Sequence, residues 1–258
     1  MYAAPRRDFL VAASVGRGAV GLGAVGLGAL AVGGCSRTGG SREAPTAHGE
    51  HTLNEETAGL SPGQALARLK DGNARFVAMK EIEPNQSSTR LMAIAKGQQP
   101  FVGVLGCVDS RVPPELIFDR GLGDVFDARI AAAIADDAAI GSLEFGVEEF
   151  GVPLLVVLGH SKCGAVTAAV KAVQSGQTQP PGRIAAVMDL IIPAIETVAA
   201  RGTSGDDLVD TAAREVVRRG VAALADSPVL SDRVASGQLD IVGAFYDLDT
   251  GSVEFGPR

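Results

Sequence analysis

Short apolar runs alternate with longer amphipathic stretches from residue 60 to the end of the chain. The apolar runs that suit buried β-strands cover residues 101–106, 125–134, 153–159 and 239–248, and residues 252–255 follow a turn and would pair back. Helical patterns cover residues 115–119, 138–149, 164–174, 183–200 and 207–225. Continuous apolar strands that alternate with helices are typical of a sheet covered on both faces. The pattern therefore predicts an α/β fold with a mostly parallel central sheet flanked by helices.

The first helix of this domain has a clear N-terminal signal. Ser61 is a capping residue, Pro62 suits the first helical turn, and Gln64 stands where a capping box needs it. Leu66 and Leu69 then follow at helical spacing. We therefore expect the folded domain to open with this helix.

Residues 1–34 resemble a bacterial export signal. Paired arginines at positions 6 and 7 precede two apolar residues, which is the pattern of a twin-arginine signal. Residues 18–34 are uncharged and consist of Gly, Ala, Val and Leu. This stretch is too short and too rich in glycine for a transmembrane helix, and it suits the apolar region of a signal. We therefore expect residues 1–34 to direct export.

Cys35 follows the signal-like segment directly. Small residues just before a cysteine resemble a lipoprotein processing box, in which the cysteine is acylated; a plain signal with an incidental Cys35 is the alternative. Acylation predicts an exported protein that is anchored to the outer face of the cytoplasmic membrane through a lipid on Cys35. Residues 35–59 are rich in Gly, Ser, Thr and Glu and predict a flexible tether, which leaves residues 60–258 as the folded domain.

Composition excludes several classes of function. The chain has 258 residues, an ordinary apolar fraction of 46% and a net charge of −7. A protein that binds nucleic acid needs a basic surface, and a basic membrane-surface helix needs a segment rich in Lys and Arg, which this chain lacks. Three cysteines are too few for a disulfide framework in a chain of this length. We therefore expect an ordinary core that needs no disulfides, and no binding of nucleic acid.

Two polar segments follow predicted strands, where ligands gather in parallel sheets. Residues 107–111 (Cys-Val-Asp-Ser-Arg) follow the first strand, and residues 160–164 (His-Ser-Lys-Cys-Gly) follow the third. His160 and Cys163 can face one point from a strand-to-helix turn, and Cys107 would add a third ligand from the neighbouring strand end. Two thiolates and one imidazole suit zinc with an open fourth position, which is typical of a catalytic site.

Spacing alone leaves other interpretations of these residues open. Buried cysteines often only fill a core, and Cys107 and Cys163 of an exported protein would be able to form a disulfide. His160 would then be an ordinary polar residue at a strand end. The combination favours a metal, because His160 is the only histidine of the folded domain and lies near one of its two cysteines. Asp109 and Arg111 stand beside the other cysteine.

The two segments together resemble the β class of carbonic anhydrases. The motifs are Cys-x-Asp-Ser-Arg at residues 107–111 and His-x-x-Cys-Gly at residues 160–164, and their combination is highly specific. The resemblance covers about residues 60–256, and further matching segments are residues 72–76, 97–100, 113–118, 123–126 and 243–247.

The resemblance implies a Rossmann-like fold and the reversible hydration of CO₂ to bicarbonate. It implies that Cys107, His160 and Cys163 bind Zn²⁺, whose bound hydroxide attacks CO₂. It also implies a homodimer or tetramer in which the N-terminal helix packs on a partner protomer. Because two thiolates cancel the charge of the ion, the bound water should be less acidic than at an all-imidazole site, so activity should rise into alkaline pH.

The resemblance also assigns roles around the metal. Asp109 would pair with Arg111 and accept the proton of the hydroxide, and it would become a fourth zinc ligand when the pair breaks. The other implied residues bind or enclose the substrate. Gln98 would reach into the partner's pocket, Phe126 and Phe145 would form pocket walls, and Gly164 would offer a backbone N–H near the substrate.

Two positions depart from the family's pattern. Ala133 stands where the pattern has an asparagine, and Asp127 lies within a strand where an apolar residue is usual. Loss of an orienting side chain beside a metal costs about 10–100-fold in affinity or activity. The departures leave the zinc ligands in place and bear on the turnover rate.

Two alternative functions stay compatible with the motifs. The first is an enzyme of the same fold that acts on carbonyl sulfide or carbon disulfide, which the motifs do not distinguish from a carbonic anhydrase. The second is a non-catalytic lipoprotein that binds zinc or bicarbonate, which the Ala133 departure motivates.

Overall fold

The computed structural model of the protein describes residues 59–176, 180–205 and 207–256. The predicted export signal, Cys35 and the tether up to residue 58 lie outside the described residues. Among the helices that are described, none is long and apolar enough to cross a membrane.

A five-stranded sheet forms the centre of the described fold. Its strands are β1 (Val102–Gly106), β2 (Val125–Arg129), β3 (Leu154–His160), β4 (Asp240–Tyr246) and β5 (Val253–Phe255). The order across the sheet is β2-β1-β3-β4-β5, in which only β5 is antiparallel to its neighbour. The prediction of a mostly parallel sheet is therefore confirmed.

Helices cover both faces of this sheet. They are α1 (Pro62–Val77), α2 (Ser88–Ile94), α3 (Pro114–Ile117), α4 (Asp137–Phe150), α5 (Gly164–Ser175), α6 (Ile184–Ala200), α7 (Asp207–Ala225) and α8 (Pro228–Ala235). Every residue of β1 and β3 is buried, as a central strand covered on both faces requires.

Successive residues of the central strands enter two separate apolar clusters. Val104 and Val156 belong to a cluster that includes residues of α1, α5 and α6, whereas Leu105 and Val157 belong to one that includes residues of α4 and α8. Side chains alternate between the two faces of a strand, so this division places one core on each side of the sheet.

Helix α1 begins at the predicted capping box. Gln64 donates its backbone N–H to the Ser61 hydroxyl, and the Gln64 side-chain oxygen accepts from the Ser61 N–H at 2.9 Å. Farther along the helix, the buried Asn73 side chain donates to the carbonyls of Ile117 and Gly251. The buried residues of α1 thus face the core of their own chain. Packing of this helix on a partner protomer stays a prediction.

The structure corrects the predicted strand at residues 125–134. The strand ends at Arg129, and a short 3₁₀ turn follows at Ala131–Ala133. Ala132 and Ala133 have φ angles of +61° and +56°, in the left-handed region that no strand can contain. These two residues turn the chain back toward the end of β1.

Two helices were missed by the sequence patterns. Helix α2 follows the cap residue Ser87, and helix α8 follows Ser227, whose hydroxyl accepts the N–H of Leu230. Both helices are short, and each buries at most one of its residues. Their weak apolar periodicity explains why only their capping residues signal them.

Candidate metal centre

The sheet register brings the ends of three strands to one edge. Gly106 of β1 lies level with Arg129 of β2 and with Leu158 of β3. The residues that follow these strands therefore meet above the same edge. Cys107 follows β1 directly, and His160 is the last residue of β3.

Cys107, His160 and Cys163 converge at this edge, as predicted. Their candidate ligand atoms all lie within 4.8 Å of one another, and all three residues are buried. Cys163 is the cap residue of α5, so the strand-to-helix turn after β3 supplies two of the three atoms. The donor set of two sulfurs and one imidazole nitrogen fits a tetrahedral zinc ion that keeps one open position.

The ring of His160 is oriented for a cation. Nδ1 lies 2.9 Å from the carbonyl oxygen of Ser161, and because a carbonyl only accepts, Nδ1 carries the proton of the neutral ring. Nε2 is therefore left with its lone pair. Among the described atoms this buried nitrogen has no hydrogen-bond partner. An orphaned lone pair that faces two sulfurs is the arrangement that a metal ion satisfies.

A hydrogen bond between the two thiol groups shifts their pKa values in opposite directions. The Cys163 thiol donates to the Cys107 sulfur and thereby lowers the pKa of Cys107 to about 4, although burial opposes this shift. The same interaction, together with burial, raises the pKa of Cys163 above its ordinary range. Both residues are free thiols in the structure, in contrast to the disulfide alternative. A cation that binds both sulfurs would take the place of the proton in this hydrogen bond.

The left-handed turn after β2 supports the Cys107 sulfur. The backbone N–H of Ala132 points at Cys107 Sγ with a nitrogen–sulfur distance of 3.3 Å. Ala132 reaches this position through its positive φ, which costs an L-residue about 1–2 kcal/mol. The next residue, Ala133, is fully buried and packs with Leu105 and Val157. The methyl group at position 133 therefore belongs to the apolar core.

Asp109 and Arg111 form the predicted pair. Arg111 donates through Nε to Asp109 Oδ1 at 2.9 Å and through Nη2 to Oδ2 at 2.7 Å. These hydrogen bonds hold the pKa of the Asp109 carboxyl well below its usual range. Asp109 Oδ2 is also 4.0 Å from His160 Nε2, so the carboxylate lies beside the candidate ligands without joining them.

Arg129 makes contacts at the centre that the sequence did not indicate. Its Nε donates to the carbonyl of Cys107 at 2.9 Å, and its Nη2 donates to the carbonyl of Asp109. One guanidinium thus contacts both ends of residues 107–109, the segment that carries the candidate ligand Cys107 and the carboxylate of Asp109. Its signals in the sequence were its fit to the arginine of the family's pattern and its place within the predicted strand of residues 125–134.

The turn after β3 is anchored by contacts from distant parts of the chain. The Ser161 hydroxyl accepts the N–H of Leu248 at 2.9 Å, and the Asp210 carboxylate accepts the N–H of Lys162 at 2.8 Å. The Lys162 ammonium pairs with Asp249 in the turn between β4 and β5. These anchors involve residues 48 to 87 positions away, which no local pattern reveals.

Of the predicted substrate-binding residues, one lies beside the candidate ligands and the others lie apart from them. Gly164 is exposed at the start of α5, directly after Cys163, which puts its N–H beside the centre. Gln98 is exposed but precedes β1, whereas Cys107 follows β1. A five-residue strand spans roughly 17 Å, so Gln98 is remote from the centre of its own chain.

Phe126 and Phe145 also lie apart from their own chain's centre. Phe126 is level with Gly103, three register positions before Arg129, so it sits roughly 10 Å back along the sheet. Its ring centroid is 6.5 Å from that of Phe145, whose side chain is 53% exposed. The nearby Asp127 is exposed on the same edge strand. The structure therefore brings together the ligands, Asp109, Arg111 and Gly164, but not the two aromatic residues.

Comparisons with known proteins agree with this geometry. A family model described as carbonic anhydrase matches residues 102–253. Carbonic anhydrase 2 of Mycobacterium tuberculosis is 43% identical over 192 residues, which cover 74% of this chain and 91% of that protein. The carbonic anhydrase of Mycolicibacterium smegmatis is 40% identical over 195 residues, which cover 75% and 93% of the two chains. A tetrameric β-carbonic anhydrase from Sordaria macrospora superposes with a TM-score of 0.59 at 26% identity, over 64% of this chain and 84% of that one.

Proposed function

Because this chain belongs to the β-carbonic anhydrase family, we propose that Cys107, His160 and Cys163 hold a zinc ion at the centre of its activity. The enzyme is a carbonic anhydrase and catalyses the reversible hydration of CO₂ to bicarbonate and a proton. The orphaned lone pair of His160 between two free thiols is the observation that carries the zinc assignment.

Different residues of this chain have different proposed roles around the metal. Zinc, when bound, supplies a water molecule whose pKa is lowered toward about 7 in well-known sites. His160 presents Nε2 because the Ser161 carbonyl fixes the tautomer at Nδ1. The N–H of Ala132 supports the Cys107 sulfur and keeps it in the centre.

Asp109 is proposed to orient the zinc-bound hydroxide by accepting a hydrogen bond from its proton. Its carboxylate is kept ionised by the fork of Arg111, and its Oδ2 lies 4.0 Å from the ring nitrogen of His160. A group that orients the hydroxide must lie close to the metal, and among the described residues this carboxylate is within 4.0 Å of a candidate ligand atom. Breaking the pair with Arg111 would let Asp109 become a fourth ligand and close the site.

We further propose that a homodimer or tetramer completes the pocket. Gln98, Phe126 and Phe145 are remote from the centre of their own chain, so a second copy is needed if they are to line it. The tetrameric relatives from Sordaria macrospora support an oligomer. Phe145 is already exposed for such a contact.

Export and lipid anchoring are a separate proposal that rests on the sequence alone. The paired arginines, the apolar stretch before Cys35 and the small residues next to it favour an exported lipoprotein at the outer face of the cytoplasmic membrane. Labelling with a radioactive fatty acid in cells would test acylation. A Cys35→Ser variant that is still labelled would contradict it.

Stopped-flow CO₂ hydration across neutral to alkaline pH, with zinc content measured on the same sample, tests the function. We expect one zinc per chain and activity that rises with pH. Asp109→Asn should lower the turnover number about 10-fold or more with zinc retained, since groups that orient a metal site typically contribute about 10–100-fold. Asp232→Asn, an exposed carboxylate on α8, is the matched control.

Each contrary result has a definite meaning. Unchanged hydration by Asp109→Asn would remove Asp109 from its proposed role. A full zinc complement without hydration at any pH would overturn the carbonic anhydrase assignment. Carbonyl sulfide and carbon disulfide would then be tested as substrates, with a zinc or bicarbonate binding protein as the other outcome.

A further inference from the structure

Two arginines hold Asp109, and they hold different parts of it. Arg111 binds the side-chain carboxylate, whereas Arg129 binds the main-chain carbonyl. Arg129 also binds the carbonyl of Cys107, two residues earlier. The planar guanidinium therefore fixes the backbone between a zinc ligand and the neighbouring carboxylate.

Packing gives the Arg129 fork a fixed position. Arg129 is the last residue of β2 and pairs with Gly106 in the register. Its Cγ lies 3.8 Å from the position that a Cβ on Gly106 would take. The stem of Arg129 thus rests on the last residue of β1, immediately before Cys107. The Arg129 side chain is half-buried and leaves the sheet at the end of a paired strand.

The Arg129 guanidinium donates its hydrogen bonds to main-chain carbonyl oxygens. None of the ion pairs found in the described residues includes Arg129. Hydrogen bonds from a charged donor are roughly twice as strong as neutral ones. The segment of Cys107 and Asp109 is therefore held more firmly than an ordinary turn.

The position of the Asp109 main chain decides where its carboxylate can go. Oδ2 is 2.7 Å from Arg111 Nη2 and 4.0 Å from His160 Nε2. The carboxylate therefore lies between Arg111 and the candidate metal ligands. Contacts that hold this backbone therefore bear on which of the two groups the carboxylate meets.

We propose that Arg129 is a positioning residue that keeps the Asp109 carboxylate on Arg111 and away from the metal centre. The inference rests on the proposed function, because the consequence of losing Arg129 is a fourth position occupied by Asp109. Arg129 acts through the backbone of Asp109 and touches neither substrate nor metal.

Azide binding to the cobalt-substituted protein measures access to the fourth position, by visible absorption. Arg129→Gln should bind azide about 10-fold more weakly than the unaltered protein, in the range typical of supporting groups at metal sites. Cobalt stoichiometry should stay the same. Arg129→Lys, which keeps the charge and one donor, should recover part of the affinity.

A double-mutant cycle separates positioning from a general structural defect. With Asp109→Ala there is no carboxylate to occupy the fourth position, so adding Arg129→Gln should change azide affinity less than 2-fold. Arg219→Lys is the matched control, because Arg219 also donates to a main-chain carbonyl, that of Pro193, but lies between α6 and α7. It should leave azide affinity unchanged.

Two results would overturn the inference. One is unchanged azide affinity in Arg129→Gln, and the other is an equal loss in the Asp109→Ala background. Failure of the proposed function would give a different result. The cobalt-substituted protein would bind azide and show the expected double-mutant cycle, but the protein would not hydrate CO₂.

Discussion

The same substitution at two helical glycines should change stability in opposite directions. A Cβ at Gly72 in α1 would lie 1.8 Å from the carbonyl oxygen of Phe118, which is backbone and cannot rotate away. Gly141 in α4 is exposed, and a Cβ there would meet nothing within 4 Å. Helix propensity alone favours alanine over glycine by about 1 kcal/mol at both positions.

The close contact at Gly72 reverses that preference. To accept a methyl group, α1 must move away from Phe118 by roughly 1 Å. This shift strains the hydrogen bonds of the adjacent Asn73, which donates to Ile117 and Gly251 and accepts the N–H of Val253. Three weakened bonds at about 1 kcal/mol each, and an overpacking cost of about 1–3 kcal/mol, exceed the gain in propensity. We expect Gly72→Ala to lose about 3–5 kcal/mol of unfolding free energy once the propensity gain is subtracted.

Urea denaturation followed by far-ultraviolet circular dichroism measures both effects. Gly141→Ala should gain about 0.5–1 kcal/mol in the unfolding free energy, since it reports propensity without a clash. The comparison requires equal m-values and equal zinc content in the three proteins. If Gly72→Ala proves as stable as the unaltered protein, α1 does not pack against the segment after α3 as described.

Three further predictions concern acid stability, the thiols and the oligomer. Burial opposes ionisation of Asp119, but hydrogen bonds from Arg75 and from two backbone N–H groups outweigh it and keep the pKa of this carboxyl below its ordinary value. The ionised carboxylate therefore stabilises the fold above that ordinary pKa, and the stabilisation is lost as pH falls through the lowered pKa. Asp119→Asn should accordingly flatten the acid limb of unfolding free energy against pH, and an unaltered limb would argue against this ion pair as its source. Treatment with a chelator should speed the reaction of Cys107 and Cys163 with a small thiol reagent, and release of zinc without any gain in rate would show that the metal does not protect these thiols. Gln98→Ala, which should hydrate CO₂ more slowly than the unaltered protein, should regain activity when its subunits are exchanged with Asp109→Asn subunits. Each mixed dimer would then hold one site with an intact Asp109 and a Gln98 from the partner, and mixing without any gain would place Gln98 outside the partner's site.

Local patterns were sufficient for the ligands and for most of the sheet. Cys107 and the pair His160 and Cys163 follow apolar runs whose ends are easy to locate, and parallel strands bring such ends to one edge. Asp109 and Arg111 are two residues apart, so their pairing is also local. These parts of the site depend little on the rest of the chain.

The supporting contacts could not be read in the same way. Arg129 reaches back 22 residues to Cys107, and Asp210 reaches across 48 residues to Lys162. The left-handed backbone of Ala132 carries no sequence signal, because alanine normally favours helix. The predicted strand was therefore too long, and the N–H that contacts the Cys107 sulfur was missed.

The register of β3 with β4 has an optical consequence. His160 lies directly opposite Tyr246, and the chain contains no tryptophan and only two tyrosines, the other at position 2. The buried Tyr246 is thus the sole strongly fluorescent side chain of residues 60–258, and it is the lateral neighbour of a proposed metal ligand. Binding of a coloured ion such as Co²⁺ or Cu²⁺ should quench its ultraviolet emission. The emission of Tyr246 should therefore measure how much of the centre holds such an ion.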